Sequence, residues 1–324
     1  MDVQVSQRAP FASTPTPAGD MSTPFHEGEL AVQRRAGAEL VAAQVGRMIH
    51  PFVPAEFAEF LNRQPFVVVA CQDQHGRVWA SLIAGGIGFA RAIDDRQILL
   101  AGAPAPGDPL EDALDRQPTQ IGVLAIKFGT RQRIRLNGVA RRTSDGILLT
   151  VTEAYGNCAK YIQRRTPTGL HAASATPAHR TSTALDARQT AIVREADTFF
   201  IASTHIERGA DASHRGGRPG FVEITDGGRL LTFPDYIGNR MFQTLGNLTV
   251  NPQTGLLLLD WQTGNTLQLT GRAQIIWDAQ AVRSRPGAER LVEIAVGAVH
   301  EHERAMPARW SLIEPYQRNP PVNP

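Results

Sequence analysis

The apolar positions of this chain change period as it proceeds. Over residues 29–48 they fall at helical spacing, with Leu30, Val41, Val45 and Met48 set among Ala, Gln and Arg, and Pro51 ends the run. A shorter stretch, 54–63, puts Phe57, Phe60 and Leu61 on one helical face. From residue 66 the period drops to that of strands. The run 66–71, a turn over 72–77 and a returning run over 78–83 predict a hairpin; 96–101 predicts another strand. Residues 121–128 and 132–140 predict a second hairpin across Gly129-Thr130-Arg131. Later come strands over 198–203, 221–224, 229–233, 255–261 and 266–276, a helix over 241–248, and a helical reading of 288–302. Ile134 and Leu136 alternate with Arg133 and Arg135, as Leu267 and Leu269 do with Thr266 and Gln268. Many short strands with Gly-rich turns, flanked by few helices, predict a mainly β protein built as barrels, with apolar interiors and polar outer faces.

The pattern occurs twice. Residues 66–140 align with 198–273: Trp79-Ala80-Ser81 with Asp211-Ala212-Ser213, Gly85 with Gly217, and Gly88-Phe89 with Gly220-Phe221. Further on, Gly122-Val123-Leu124 matches Gly255-Leu256-Leu257, and Thr130, Gly138 and Ala140 match Thr263, Gly271 and Ala273. A repeat this long predicts duplicated domains rather than a solenoid. The expected division is a disordered tail at 1–24, a first barrel with its helices at 25–165, a Pro/Ser/Thr-rich linker at 166–188, a second barrel at 189–282, and a helix and tail at 283–324.

Composition narrows the function. A formal charge of +2 is too small for a general nucleic-acid surface. Of the 33 basic residues only Lys127 and Lys160 are lysines, and arginine suits bidentate contacts to phosphate. Two cysteines, Cys71 and Cys158, build no disulfide framework, no apolar run is long enough for a membrane helix, and the first twenty residues lack an apolar signal core, so the expected setting is cytoplasmic.

Three segments could carry chemistry. Residues 211–221 join Ser213, His214 and Arg215 to glycines that allow close approach to a ligand, or form a solvated hairpin loop. Residues 234–241 hold Asp235, Tyr236, Asn239 and Arg240 between a strand end and a helix start, which is either an anion site or an ordinary capped helix. Residues 155–165 place aromatics beside basic groups. The first copy has Leu82 and Ile83 where the second has His214 and Arg215, and Pro104 to Asp108 where the second has 235–240. The donors are therefore expected in one barrel only. The pair His300 and His302 looks metal-like, but on a helix such spacing turns the rings apart, so no metal site is expected.

The motifs Ser213-His214-Arg215-Gly216-Gly217-Arg218-Pro219-Gly220-Phe221-Val222 and Pro234-Asp235-Tyr236-Ile237-Gly238-Asn239-Arg240-Met241-Phe242, with Asn251-Pro252 downstream and Gly156 to Gln163 upstream, resemble the pyridoxamine 5′-phosphate oxidase-like flavoproteins. The resemblance is to a duplicated-barrel branch and spans roughly residues 25–278. It implies two tandem FMN-binding split barrels that form a pseudo-dimer within one chain, acting as a monomer or as a homodimer. It implies FMN as cofactor, with the phosphate on Ser213, Arg215, Asn239 and Arg240. His214, Gly217, Asp235, Tyr236, Gln268, Arg131 and Arg133 would lie around the rest of the flavin. Gly238-Asn239-Arg240 replaces the oxidase's Ser-Arg-Lys, so pyridoxamine phosphate is not the expected substrate. The implied activity is hydride or electron transfer through FMN, with NAD(P)H or an electron-transfer protein as partner and no assignable catalytic acid or base. A flavin carrier or sensor without turnover is the alternative, and a cofactor-free or haem-binding barrel is the weaker third.

Overall fold

The computed structural model describes residues 23–170 and 178–322. Most of the expected tail lies outside the described residues, as does the middle of the expected linker. Three helices open the chain: α1 (Glu27–Arg35), α2 (Glu39–Gly46) and α3 (Ala55–Asn62). The single helix expected over 29–48 is two, because the chain turns at Gly37, where φ is +60°. The turn resets the helical phase, so Val32 and Ala42 are buried while Val41 and Met48 face solvent.

The first sheet contains β1 (Phe66–Gln72), β2 (Val78–Ala84), β3 (Ala90–Ala92), β4 (Gln97–Leu100), β5 (Thr119–Lys127), β6 (Gln132–Thr143) and β7 (Gly146–Asn157), with α4 (Pro109–Asp115) between β4 and β5. β8 (Arg164–Leu170), β9 (His179–Ser182) and α5 (Ala187–Glu195) lead to the second sheet. That sheet is built from β10 (Thr198–His205), β11 (Gly209–Gly216), β12 (Glu223–Thr225), β13 (Leu230–Tyr236), β14 (Gln253–Leu259), β15 (Thr266–Ile276) and β16 (Ala288–His302). Helix α6 (Gln243–Val250) lies between β13 and β14, and α7 (Ala279–Arg283) precedes β16. β17 (Ala308–Glu314) pairs with β8, and β9 pairs with β16. Much of the expected linker is thus strand.

The strand orders are β2-β1-β5-β6-β7-β4-β3 and β11-β10-β14-β15-β16-β13-β12, the same path traced twice. In the first unit Ile83 of β2 and Ala90 of β3, from opposite ends of the sheet, share one core with Val123 and Leu136, so the sheet wraps round a filled interior. Phe199, Leu231, Leu256, Leu269 and Val292 do the same in the second. The fold is two split β-barrels in one chain.

A third core joins the barrels: Val68, Ala70, Ala80, Leu124, Ala202, Ala212 and Leu257 pack face to face. Here the repeated glycines find their reason. A Cβ on Gly122 would lie 2.5 Å from the Ala210 carbonyl oxygen, and one on its counterpart Gly255 would lie 2.6 Å from the backbone of Trp79. The polar outer face expected for β6 and β15 is consequently not solvated. Arg135 is 5% exposed and Gln268 0%, both within the seam between barrels.

The helix expected over 288–302 is strand β16, and the second sheet runs past the expected boundary at 282. β16 hides its period because it carries a bulge: Thr270 pairs with Ala298 but Gly271 with Val296, leaving Gly297 as the extra residue. Inward positions are even-numbered before the bulge (Val292, Ile294) and odd after it (Val299). Pairing with β13 and β15 overrides the helical reading of the Ala-rich sequence.

Candidate functional site

The pseudo-two-fold relation builds two comparable places on the seam. Each combines a serine on the outer strand of one barrel, a side chain from the other barrel, and a helix start. In the first, Ser81 on β2 meets Gln268 on β15 at the start of α4. In the second, Ser213 on β11 meets Arg135 on β6 near the start of α6.

The first place is filled by the protein's own carboxylate. Asp108 caps α4, accepting from the Leu110 N–H at 2.9 Å, the Ser81 hydroxyl at 2.5 Å and Gln268 Nε2 at 3.0 Å. Gln268 also donates to the Ala80 carbonyl at 2.9 Å. Burial raises the Asp108 pKa to about 6, against these donors, which lower it.

The second place has no such plug. Arg135 Nη2 donates to Ser213 Oγ at 2.5 Å, and Nη1 lies 3.1 Å from both oxygens of Asp211. Burial opposes the Arg135 charge, yet Asp211 and Tyr155 hold its pKa above the usual value. Asp211 also accepts from the Tyr155 hydroxyl at 2.9 Å and from Thr244 at 3.5 Å. Helix α6 starts on Phe242, which gives it no side-chain cap, so its first amides open toward a cavity of about 40 Å³. Arg135, Ser213, Arg215, Asp235, Arg240 and Thr244 are among the lining residues. The Nε atoms of Arg135 and Arg215 are buried without a partner. The loop before the helix is strained: Arg240 and Phe242 take φ of +68° and +66°.

The cations here are partly neutralised. Arg215 lies 3.5 Å from Asp235, which also faces the buried Arg290 at 3.6 Å. Burial lowers the Arg215 pKa, with Asp235 opposing, and burial raises that of Asp235, with Arg215 and then Arg290 opposing. Arg240 forms a two-pronged pair with Glu289 at 2.7 and 2.8 Å. Asn239 accepts from the Met241 N–H, so it braces the loop rather than capping the helix. Tyr236 packs on Tyr161 with ring centroids 5.2 Å apart, and the Tyr161 hydroxyl donates to the Ile237 carbonyl. Residues 155–165 thus cover this loop, as an irregular turn and strand.

Of the residues singled out from sequence, Ser213, Arg215, Asp235, Tyr236, Asn239 and Arg240 line one cavity. Five do not. His214 is next to Ser213 on a strand and so faces the other way, among Phe128 and Phe200. Its Nδ1 lies 3.1 Å from Arg133. Burial, then Arg133, hold the His214 pKa well below the usual value, and burial brings Arg133 down to about 10. Gly217 is a packing glycine, because a Cβ would lie 2.5 Å from the Phe221 ring. Arg131 binds the Ile162 carbonyl and Glu314, away from the cavity. Gln268 belongs to the other, filled place. Arg135, Asp211, Thr244 and Glu289 are additions that the sequence reading did not place at the site. The repeat already aligned Asp211, and strand alternation pointed Arg135 outward, but neither signal says which residues meet across the seam.

A larger cleft of about 570 Å³ lies elsewhere on the seam, lined by Arg116, Thr119, Thr204 and His205 among others. Its one arginine already binds the Gln72 and Asp73 carbonyls, so it offers no comparable anion cradle.

Residues 185–315 match the family model for pyridoxamine 5′-phosphate oxidase. No curated protein matches the chain. Among solved structures, the chain is similar to HupZ of Group A Streptococcus at 10% identity, covering 39% of this chain and 98% of that one, with a TM-score of 0.30. It is also similar to a putative pyridoxamine 5′-phosphate oxidase of Lactobacillus delbrueckii (11% identity, 36% and 94% covered, TM-score 0.30). A third is an FAD-binding protein of Mycobacterium smegmatis (12%, 39% and 98%, 0.26). The matched span runs from α5 through β17 and encloses the second barrel and its open cradle, so it is this part of the chain that is similar to the pyridoxamine 5′-phosphate oxidase family.

Proposed function

We propose that this is a flavin-binding protein whose cofactor is FMN, held by its phosphate in the second place and used for hydride or electron transfer. One observation carries the reading. The two barrels build the same serine-and-helix cradle, but in the second no carboxylate caps the helix as Asp108 does in the first, and Arg135 and Arg240 stand in place of Gln268 and Asp108. An FMN phosphate carries nearly two negative charges and strong acceptor oxygens. Its fit is supported by the uncapped amides of α6 and the orphaned Nε atoms of Arg135 and Arg215. The cavity's 40 Å³ suits a phosphate-sized group and not a ring system. Arg135, Ser213, Arg215, Arg240 and the α6 amides would hold the phosphate. Bound FMN would supply the redox chemistry. The chain's own part is to bind and orient it, with NAD(P)H or an electron-transfer protein as the other reactant.

A carrier or sensor without turnover is the second reading. It is favoured by the pairing of Arg240 with Glu289 and of Arg215 with Asp235, which leaves less net charge for the phosphate. Flavin-free protein titrated with FMN should saturate at one equivalent, and NADPH should then reduce the bound flavin over repeated turnovers with an added acceptor. Saturation at two equal sites, or no binding, overturns the FMN reading. Binding without turnover selects the carrier.

A further inference from the structure

A histidine cluster lies on the same seam, and the flavin reading does not use it. His300 and His302 are two residues apart on β16, so in a strand they face one side. β9 runs alongside with His179 directly opposite His302. The ligand nitrogens of the three rings lie within 4.8 Å of one another. His179 Nε2 and His300 Nδ1 are 3.3 Å apart. Two nitrogens on one tetrahedral zinc, each bound at about 2.0–2.1 Å, are separated by about 3.3–3.4 Å.

His302 supplies the second observation. It is 2% exposed, and its Nε2 has no hydrogen-bond partner. Its ring hydrogen-bonds the backbone of Pro106, which can offer only a carbonyl, so the proton sits on Nδ1 and the Nε2 lone pair is free. A histidine held through Nδ1–H to a carbonyl is oriented as a metal ligand. The other such cluster, His26, Glu27 and His205, differs. There the His26 nitrogens face Gly28 N–H and Asn247, and those of His205 face Glu27 and the amides of Glu207 and Arg208. Its ring nitrogens are committed to the fold.

We propose that His179, His300 and His302 form a binding site for one divalent transition-metal ion of the zinc type, with a fourth position left to water. An all-imidazole set favours zinc, copper or nickel over magnesium or calcium. His179 stacks flat on His302, with centroids 4.3 Å apart and planes at 6°, so its ring must turn edge-on to share the ion. That ring is exposed. The first barrel contributes the surroundings. The Trp79 ring lies 4.6 Å from that of His300, and Gly107 permits close approach, since a Cβ there would lie 2.7 Å from His179 Nδ1. The ion would fasten β9, which follows residues 171–177, to β16 at the seam.

The test uses tag-free, chelator-treated full-length protein titrated with Zn²⁺ against a chromophoric chelator, with Mg²⁺ as control. The expected result is one Zn²⁺ per chain, bound at micromolar or tighter Kd, and no Mg²⁺ binding. His179→Ala removes an exposed ring and should leave the fold intact by circular dichroism, yet weaken Zn²⁺ at least tenfold. His300→Gln should do the same. Cu²⁺ should quench tryptophan emission in the parent, and Trp79→Phe should remove most of that quenching. Millimolar Zn²⁺ affinity, or affinity unchanged by His179→Ala and His300→Gln in folded protein, overturns the proposal. FMN titration of His179→Ala should match the parent, which keeps this test separate from the flavin reading.

Discussion

Arg135 is the residue on which stability and ligand binding can be separated. It lies 5% exposed in the seam, with Nη1 3.1 Å from both Asp211 oxygens and Nη2 2.5 Å from Ser213. Arg135→Met leaves the Asp211 carboxylate buried with only the Tyr155 and Thr244 hydroxyls. Breaking a buried pair on one side costs about 3–5 kcal/mol. The double variant Arg135→Met/Asp211→Asn removes both charges and should recover most of that, ending within about 2 kcal/mol of the parent. FMN binding should not recover. A lost charge-assisted bond is worth roughly 1.5–3 kcal/mol, or about 10- to 150-fold in Kd. Riboflavin, which lacks the phosphate, should bind the double variant within about threefold of the parent. Urea denaturation at pH 7 gives the stabilities, and fluorescence titration with both flavins gives the affinities. Parent-like FMN affinity in the double variant, or an equal loss for riboflavin, would refute the phosphate role.

Three further outcomes follow from the same geometry. Arg240→Ala should weaken FMN about tenfold and leave riboflavin unchanged, whereas Glu289→Gln, which releases Arg240, should tighten FMN several-fold; opposite signs in titration would show that the pair is structural. Burial raises the Glu29 pKa from 4.5 to about 8. Between those values the folded state holds more protons than the unfolded one, so stability falls as pH rises through the window, by roughly 5 kcal/mol in all. Glu29→Gln keeps a capping-box acceptor for the His26 N–H and should flatten that fall, which denaturation midpoints at pH 5 and pH 9 will read. Gly122→Val forces a side chain onto the Ala210 backbone and should cost about 2–4 kcal/mol in urea denaturation, while Gly86→Ala, which meets nothing within 4 Å, should be close to neutral.

The barrels were legible because their period-2 runs are short, apolar and bounded by turns. Expected strands 66–71 and 266–276 sit within β1 and β15, and 121–128 overshoots β5 by one residue. What escaped has physical causes. β16 carries its inward residues on even numbers before Gly297 and odd numbers after it, so no single period describes it. β8 and β9 are short, mostly exposed strands that pair with β17 and β16, far along the chain, and a sequence rich in Pro, Ser and Thr reads as linker without those partners. The misreading of β16 also hid the histidines: at two-residue spacing they diverge on a helix and converge on a strand.

The candidate site shows a deeper limit on comparing repeats. Aligning the copies pairs Ser81 with Ser213 and Arg135 with Gln268, and the copies differ at the second pair. Yet each place on the seam is made from unlike halves. Ser213 meets Arg135 from the other barrel, and Ser81 meets Gln268. Reading one copy as a self-contained site therefore assigns Gln268 to the arginine-rich cradle, when it serves the one filled by Asp108. The exchange follows from the glycines. Gly122 and Gly255 bring each barrel's β5 or β14 against the other's β11 or β2, so the strands bearing the serines face the partner barrel's β6 or β15. Once the two glycines are seen as the contact between barrels, the alternation of β6 places Arg135 opposite Ser213, and the alternation of β15 places Gln268 opposite Ser81. A pseudo-dimer of this kind has to be read across its axis, with the residue at one copy's serine paired to the other copy's hairpin.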